Sequence, residues 1–302
     1  MEDDTYERLL ERLRAMKAVA VAFSGGTDST LLLAAAKEAL GQSVLALTVV
    51  TPFMERQEVA DTLALSAQLG VRHELVELPM PHGIESNPPE RCYICKRALF
   101  GKLLQVAQEA GFGRVLDGSN LDDLSDYRPG LRALRELEID SPLLACKISK
   151  AAVRRLSQSL GLPTWDKPAN ACLLTRLPIG QRVSMEDLNR VEEAERFLRA
   201  RGYVWIRVRV HDGLARIEVA PEQRSRLLEE ADAIAEALEE LGFRHIAMDL
   251  RGYRLGSMNV RGIVGDQRET CDASELRGGL FPDSAPRPWS HRWPAGRKIG
   301  WS

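Results

Sequence analysis

The chain has 302 residues, of which 44% are hydrophobic and 28% charged, enough for one large folded domain and a smaller one. Its formal net charge of -2 gives no global attraction to nucleic acid or anionic membrane, and no apolar run reaches membrane-spanning length. The first residues are acidic and fit neither a signal peptide nor a transit peptide. The chain has five cysteines, and this odd number favours reduced thiols or metal ligands over a disulfide scaffold. We therefore expect a cytoplasmic protein.

The first half of the chain alternates short apolar segments with helical periodicity. The predicted strands cover residues 19–23, 44–50, 72–78 and 114–117. This alternation is typical of an α/β fold, an open parallel sheet with helices on both faces. The helix after the second strand is predicted to have Thr51 as its N-cap and Pro52 at its first position, and to end at Gly70.

A glycine-rich turn follows the first predicted strand and precedes a helix. Its sequence is Ser24-Gly25-Gly26-Thr27-Asp28-Ser29. Adjacent glycines allow a tight turn, and the unpaired N–H groups of a helix N-terminus bind anions, so this segment is predicted to hold the phosphates of a nucleotide. It lacks the spacing and the lysine of a Walker A loop and resembles the SGGxDS loop of the ATP pyrophosphatases, the PP-loop family.

Two cysteines, Cys92 and Cys95, form a CxxC pair that could bind a metal or close a disulfide. The alternative is a reduced, solvent-facing pair. Cys172 lies in a segment of no clear period, residues 162–180, and is a candidate third ligand. Three thiolates suit a 4Fe-4S cluster with one open iron, whereas structural zinc normally needs a fourth protein ligand. A buried core position for Cys172 is the competing interpretation.

The segment Asp117-Gly118-Ser119-Asn120 with Asp122 and Asp123 follows the fourth predicted strand. The carboxyl ends of parallel strands are where ligands of open sheets bind. Gly118 and Asp122 are therefore assigned to the ATP site, with the carboxylates as candidate ligands for Mg²⁺. A helix N-cap with acidic first-turn residues explains the same pattern.

The second half predicts a helix from residue 149 to 161 and, after the irregular segment, a smaller α/β domain. Ser184 is predicted to cap a helix, strands are expected at 204–210, 214–219 and 245–250, and one helix at 221–241. Arg207 and Arg209 alternate with apolar residues and share one face of their strand. The predicted domains are residues 1–180 and 181–261, followed by an irregular tail at 262–302.

Six segments together resemble the LarE family, ATP-dependent sulfur transferases of nickel-pincer nucleotide biosynthesis within the PP-loop superfamily. The segments are AVAFSGGTDSTLLL, NPPERCYICK, DGSNLDD, NACLLTRLPIG, RVRVHDGLARIEV and GYRLGSMN. The resemblance implies adenylylation of the carboxylates of a pyridinium biscarboxylic acid mononucleotide and their conversion to thiocarboxylates. It also implies a homo-oligomer; the sulfur donor is not identified.

The same resemblance implies roles for particular residues. The three-cysteine pattern of Cys92, Cys95 and Cys172 corresponds to family members that hold a 4Fe-4S cluster, whereas other members sacrifice one cysteine as the sulfur source. Cys172 is the candidate catalytic thiol. The arginines of the RVR segment, with Arg254, are associated with the substrate phosphate, and a solvated outer sheet face is the alternative for Arg207 and Arg209.

Arg176 is a candidate to stabilise charge that develops on the acyl phosphate, as are Arg91 and Lys96 beside the CxxC pair. Two other enzyme classes of the PP-loop superfamily fit part of the pattern. A tRNA thiolation enzyme also uses CxxC and a distant cysteine, and an amidating enzyme of the NAD synthase type needs no cysteine. A nucleotide-binding regulator that binds ATP without releasing pyrophosphate is the third alternative.

Overall fold

The computed structural model describes residues 2–124, 129–168 and 171–254, which all fall within one compact unit, Met1–Val260. The α-helices are α1 Glu2–Arg14, α2 Thr27–Leu40, α3 Arg56–Gln68, α4 Arg91–Glu109, α5 Gly130–Glu136, α6 Pro142–Ala145, α7 Lys150–Ser159, α8 Met185–Ala200, α9 Arg224–Glu229 and α10 Ala231–Glu240. The strands are β1 Val19–Ala22, β2 Val44–Val50, β3 Arg72–Glu77, β4 Val115–Leu116, β5 Arg207–His211, β6 Leu214–Glu218 and β7 His245–Met248. Short 3₁₀ turns occupy Leu121–Leu124, Leu173–Arg176 and Pro221–Gln223.

The larger sheet is parallel throughout and has the strand order β3-β2-β1-β4. Alternate residues of β1 face different cores: Val19 and Val21 pack with α1, α2 and α7, whereas Ala20 packs with α4. Both faces of the sheet are thus covered by helices, which confirms the predicted open parallel α/β fold. The chain moves outward from β1 to β3 and then returns to place β4 on the other side of β1. A crevice for ligands is expected where the order reverses, beyond the carboxyl ends of β1 and β4.

The smaller sheet has the order β5-β6-β7, with β5 antiparallel to β6 and β7 parallel to it. The turn between β5 and β6 has positive φ at both Asp212 (48°) and Gly213 (86°), as a tight hairpin requires. The single helix predicted over 221–241 is wrong. The structure has a 3₁₀ turn and two helices there, because the backbone of Glu230, at φ -98° and ψ 13°, departs from helical geometry between α9 and α10.

Helix starts were predicted with mixed success. The hydroxyl oxygens of Ser149 and Ser184 accept bonds from the N–H groups of Ala152 and Asp187, as predicted for N-caps. The predicted start of α3, with Thr51 as N-cap and Pro52 as the first helical residue, is wrong, because the helix begins at Arg56. The backbone of Glu55 is extended, at φ -67° and ψ 132°, and α3 begins only after it.

The core beneath the smaller sheet includes residues from the first half of the chain. Phe53 and Ile84 pack there with residues of α8, β5 and β6. The buried Asn87 amide donates to the carbonyl oxygens of Leu174, Leu177 and Pro178 at 3.3, 3.0 and 2.9 Å. The domain limits at residues 180 and 261 stay predictions, and the predicted tail lies outside the described residues. Among the helices described, none combines the length and apolar character needed to cross a membrane.

Candidate functional site

The glycine-rich turn, residues 24–29, connects β1 to the N-terminus of α2 and is called the nucleotide turn below. Gly25 has φ 67°, and a Cβ atom there would lie 3.1 Å from Cγ2 of Thr62, so both the backbone conformation and the space favour glycine. Gly26 is the N-cap of α2, with φ -82° and ψ 167°. The first N–H groups of α2 have no acceptor inside the helix and lie one short turn beyond the carboxyl end of β1. This backbone arrangement suits an anion such as a nucleotide phosphate.

The hydroxyl groups of the turn hold its shape. Thr27 Oγ1 donates to the carbonyl oxygen of Thr164 at 2.9 Å, and Ser29 Oγ donates to that of Gly26 at 3.2 Å. Ser24 Oγ lies 3.2 Å from Ser29 Oγ. The predicted ATP-binding residues of the turn are therefore brought together, with the hydroxyls engaged in internal hydrogen bonds.

Two lysines, Lys150 and Lys167, contact this turn. Lys150 Nζ lies 2.5 Å from Oδ2 of Asp28, and Lys167 Nζ lies 3.2 Å from the carbonyl oxygen of Gly25 and 2.9 Å from Oδ2 of Asp61. Sequence reasoning gave neither lysine a role. The contacts of both lysines join residues more than a hundred positions apart, so no local pattern could predict them. The only sequence signal was that Lys167 lies in the irregular segment, residues 162–180.

The loop after β4 approaches the start of α2 closely. A Cβ atom at Gly118 would lie 3.1 Å from the backbone nitrogen of Ser29, so the two loops touch through backbone at this glycine. Asn120 Nδ2 donates to Oδ1 of Asp28 at 3.0 Å. Gly118 is thus adjacent to the nucleotide turn, and its assignment to the ATP site stays a prediction.

The carboxylates of the same loop form helix caps. Asp122 Oδ2 accepts from the backbone N–H of Lys150 at 2.8 Å, at the start of α7. Asn120 Oδ1 accepts from the N–H of Asp122 at 2.9 Å, while Asp123 Oδ2 accepts from the N–H of Asn120 at 3.0 Å. These contacts match the capping alternative, and the assignment of Asp122 to Mg²⁺ stays a prediction.

The three cysteines of the predicted cluster site lie near one another. Cys92 is exposed and Cys95 is half-buried, both within the first two turns of α4, and half-buried Cys172 immediately precedes the 3₁₀ turn Leu173–Arg176. Burial raises the pKa of Cys95 to about 12, with smaller contributions from the nearby Cys172 and Cys92. Burial also raises the pKa of Cys172, and Cys92 adds to this effect. Within the described ranges, no group of three or more His, Cys, Asp or Glu side chains is close enough to hold a metal ion.

Arg91 supplies positive charge to this group. It is 8% exposed, and its Nε is buried without a hydrogen-bond partner among the described residues. Its charge acts to lower the pKa of Cys172, against the larger effect of burial. A cation beside buried sulfur atoms favours their thiolate form or a bound anion.

Arg176 has surroundings different from those expected of a residue that contacts a substrate phosphate. Its guanidinium is 0% exposed and binds both carboxylate oxygens of Glu195, at 3.0 and 2.9 Å. It also contacts Glu55 at 3.2 Å and donates to the carbonyl oxygens of Ala171 and Cys172. Arg176 thereby fixes the backbone on which Cys172 is carried.

The arginines of β5 differ from each other. Arg209 is buried, forms a two-pronged ion pair with Glu218 at 3.1 and 3.0 Å, and donates to the carbonyl oxygen of Thr175 at 2.7 Å. Arg207 is partly buried, and its guanidinium lies 5.2 Å from the ring centroid of Tyr253. Burial lowers the pKa of Arg207, and the charge of Arg176 lowers it further. The arginine face of β5 is therefore packed and not the solvated face considered as an alternative. Arg254 is exposed at the end of the described chain.

One short segment connects the nucleotide turn with Cys172. Lys167 contacts Gly25, and Cys172 follows five residues later. Five residues span at most about 18 Å even when fully extended. The Cα atom of Cys172 therefore lies no more than about 18 Å from that of Lys167, the residue that contacts the turn.

Comparisons with known proteins place these features in context. The NAD synthase family model matches residues 4–87, the segment that contains the nucleotide turn. The chain is 35% identical over 254 residues to pyridinium-3,5-bisthiocarboxylic acid mononucleotide synthase of Lactiplantibacillus plantarum, which covers 83% of this chain and 92% of that protein. It is 40% identical to an uncharacterised protein of Synechocystis sp. (86% of this chain, 98% of that protein) and 32% identical to one of Methanocaldococcus jannaschii (79% and 91%).

Proposed function

The chain belongs to the LarE family of ATP-dependent sulfur transferases in the PP-loop superfamily, and from this premise we propose that it converts the carboxylates of a pyridinium biscarboxylic acid mononucleotide to thiocarboxylates. Each carboxylate would attack the α-phosphorus of ATP, which releases pyrophosphate and leaves an acyl adenylate. A sulfide ion would then attack the carbonyl carbon, forming the C–S bond of the thiocarboxylate while the C–O bond to AMP breaks and AMP leaves. The similarity to the L. plantarum synthase covers 83% of the chain, whereas the NAD synthase match ends at residue 87, so sulfur transfer is favoured over amidation.

The adenylylation step is assigned to the crevice between β1 and β4. The N-terminus of α2 would bind the phosphates of ATP through backbone N–H groups, and Lys167 and Lys150 would neutralise negative charge as pyrophosphate departs. A bound Mg²⁺ would add to this neutralisation, with Asp28 in the turn and Asp122 in the loop after β4 as the candidate carboxylate ligands.

One observation carries the sulfur-transfer part of the proposal. Cys172 lies on the same short segment as Lys167, which contacts the carbonyl oxygen of Gly25 in the turn. We propose that this segment brings the Cys172 sulfur to the carbonyl carbon that ATP activates. A thiolate or sulfide is a strong nucleophile near neutral pH, and the acyl adenylate supplies a good leaving group.

We assign a 4Fe-4S cluster to Cys92, Cys95 and Cys172. Although these thiols do not meet at a point where they could hold a single metal ion, a cluster takes one thiolate on each of three different irons, and the buried cation Arg91 would offset the negative charge that thiolate ligands bring. Bound, such a cluster would supply one iron free of protein ligands for holding sulfide. The thiols must lose their protons first, so the raised pKa of Cys95 makes cluster assembly release protons.

The arginines are given separate tasks. Arg207 is the proposed contact for the substrate phosphate, because it is half-buried and has no ion pair to a carboxylate in the described part of the chain. Arg254, which is exposed, is proposed as a second contact for the same phosphate. Arg176 and Arg209 are proposed as positioning residues, since both hold carbonyl groups of the Cys172 segment. A homo-oligomer is proposed on the family resemblance and can be checked by light scattering.

Two measurements on anaerobically purified protein test the proposal. With ATP and the pyridinium biscarboxylate, mass spectrometry should show products in which sulfur replaces oxygen, and pyrophosphate should appear with them. Iron and acid-labile sulfide analysis should give about four irons per chain.

Cys172→Ala should lose the cluster and the sulfur product but keep ATP–pyrophosphate exchange driven by the carboxylate. Cys146→Ala, a partly buried thiol packed on the α1 and α2 core, is the matched control and should keep both. Sulfur products from a protein that binds no iron would move the sulfur source to Cys172 itself. The absence of both products and exchange would refute the enzyme assignment.

A further inference from the structure

An aromatic surface lies next to the arginine face of β5. The rings of Trp205 and Tyr253 are 5.9 Å apart between centroids, with an interplanar angle of 34°. The Arg207 guanidinium lies over the Tyr253 ring at 5.2 Å. Tyr253 therefore contacts both partners, and the Trp205 ring and the guanidinium are separated by no more than the sum of these two distances.

Trp205 remains open to a ligand. It is 50% exposed, although a tryptophan in a folded protein is usually buried for most of its surface. Its backbone has φ 52°, a left-handed conformation that is uncommon for a bulky residue. Such backbone strain clusters at functional sites, where the surrounding structure holds a side chain in a required position.

We infer that the pyridinium ring of the substrate stacks on Trp205 as a platform while Arg207 binds the phosphate of the same molecule. This inference rests on the proposed function and assigns a specificity-determining residue to it. A pyridinium ring is a planar cation, and the face of tryptophan is the most favourable side-chain surface for such a group. In a mononucleotide one ribose separates the ring from the phosphate, so a platform and a guanidinium that share one aromatic neighbour match the two ends of the ligand.

The charges around the platform support a zwitterionic ligand. The half-buried Arg207 would repel a simple pyridinium cation, but a mononucleotide carries its own phosphate to meet that guanidinium. Tyr253 already has the Arg207 cation on its ring, which leaves the ring of Trp205 for the ligand. The surface therefore distinguishes a pyridinium mononucleotide from either half alone.

The experiment measures ring recognition separately from catalysis. Calorimetry gives the affinities of the full-length protein for nicotinamide mononucleotide, for its reduced dihydropyridine form, whose ring is uncharged, and for ribose 5-phosphate. The native protein should prefer the pyridinium ligand to ribose 5-phosphate by about tenfold, and to the reduced form by a smaller factor. Trp205→Leu should abolish the preference while ribose 5-phosphate binding is unchanged, and Trp205→Phe should keep most of it.

Val204→Ala is the matched control, because this neighbour is 54% exposed but has no aromatic face; it should behave as the native protein. A pyridinium preference that survives in Trp205→Leu, or that Val204→Ala removes equally, would overturn the inference. Sulfur transfer is assayed in parallel with the biscarboxylate. If the native protein forms thiocarboxylate and Trp205→Leu still prefers the pyridinium ligand to ribose 5-phosphate, the role of Trp205 is refuted and the proposed reaction is not. Ring preference lost in Trp205→Leu without sulfur transfer by the native protein would refute the proposed reaction alone.

Discussion

Replacing Arg176 with methionine tests whether the buried charge network supports the Cys172 segment. Arg176 and Glu195 are both 0% exposed, so the substitution leaves a carboxylate in the interior without its main partner. Breaking a buried ion pair from one side costs about 3–5 kcal/mol. Arg199 still contacts Glu55 at 2.9 Å and Glu195 at 3.0 Å, which favours the lower end of this range.

A loss of about 3 kcal/mol lowers the melting temperature by about 6–12 °C, since each kcal/mol corresponds to about 2–4 °C in a protein of this size class. Thermal unfolding followed by circular dichroism measures this shift. The double variant Arg176→Met with Glu195→Gln removes the uncompensated charge and should recover much of the lost stability. A shift below about 2 °C for the single variant, the size of a surface pair, would refute the buried-pair interpretation.

The free energy of unfolding of the single variant Arg176→Met should depend on pH differently from that of the native protein. Burial alone would raise the pKa of Glu195, but the charge and hydrogen bonds of Arg176 outweigh burial and lower it. In the native protein this carboxylate stabilises the fold above its unfolded pKa, and the contribution is lost as the pH falls through the folded value. Without Arg176 the pKa should rise above the unfolded value, so the variant loses stability as the pH rises. The stability difference between the two proteins should therefore narrow toward about pH 5.

Three further predictions concern the nucleotide turn and the thiols. Gly118→Ala places a methyl carbon 3.1 Å from the backbone of α2 and should weaken ATP binding about tenfold or more. Gly113→Ala, where the new methyl group lies in open space, should not weaken it, and equal affinities of the two variants by calorimetry would contradict the prediction. Lys167→Met should raise the KM for ATP in pyrophosphate exchange about tenfold and Lys167→Arg much less, and an unchanged KM in both would exclude a phosphate contact. In metal-free protein near pH 8, mass spectrometry should find iodoacetamide on exposed Cys92 well before Cys95, whose pKa of about 12 keeps it protonated, and the opposite order would show that burial does not control reactivity.

The features that sequence reasoning predicted correctly are local ones. The strand, glycine turn and helix at residues 19–40 are specified by neighbouring residues, and so are the caps at Ser149 and Ser184. The four parallel strands follow from apolar runs separated by helical periods. In each case, the signal lies within about a dozen residues of the structure that it predicts.

The features that it missed depend on distant partners. The alternation in β5 placed Arg207 and Arg209 on one face, but it could not show that the carbonyl of Thr175 and the carboxylate of Glu218 would occupy Arg209. The contact of Lys150 with Asp28 joins residues from different helices. Likewise, the late start of α3 accompanies the pairing of Glu55 with Arg176 and Arg199, which no local pattern encodes.

The contribution of Phe53, Ile84 and Asn87 to the core beneath the smaller sheet constrains how this architecture can be reused. A fragment that begins after residue 180 would expose the apolar surface that Phe53 and Ile84 cover. A fragment extended back to residue 171 would contain the carbonyl groups of Leu174, Leu177 and Pro178 but not the Asn87 amide that binds them. Gene fusion or recombination that transplants the smaller sheet must therefore carry the stretch between β2 and α4 with it, because the two portions are interleaved in sequence although they are separate as sheets.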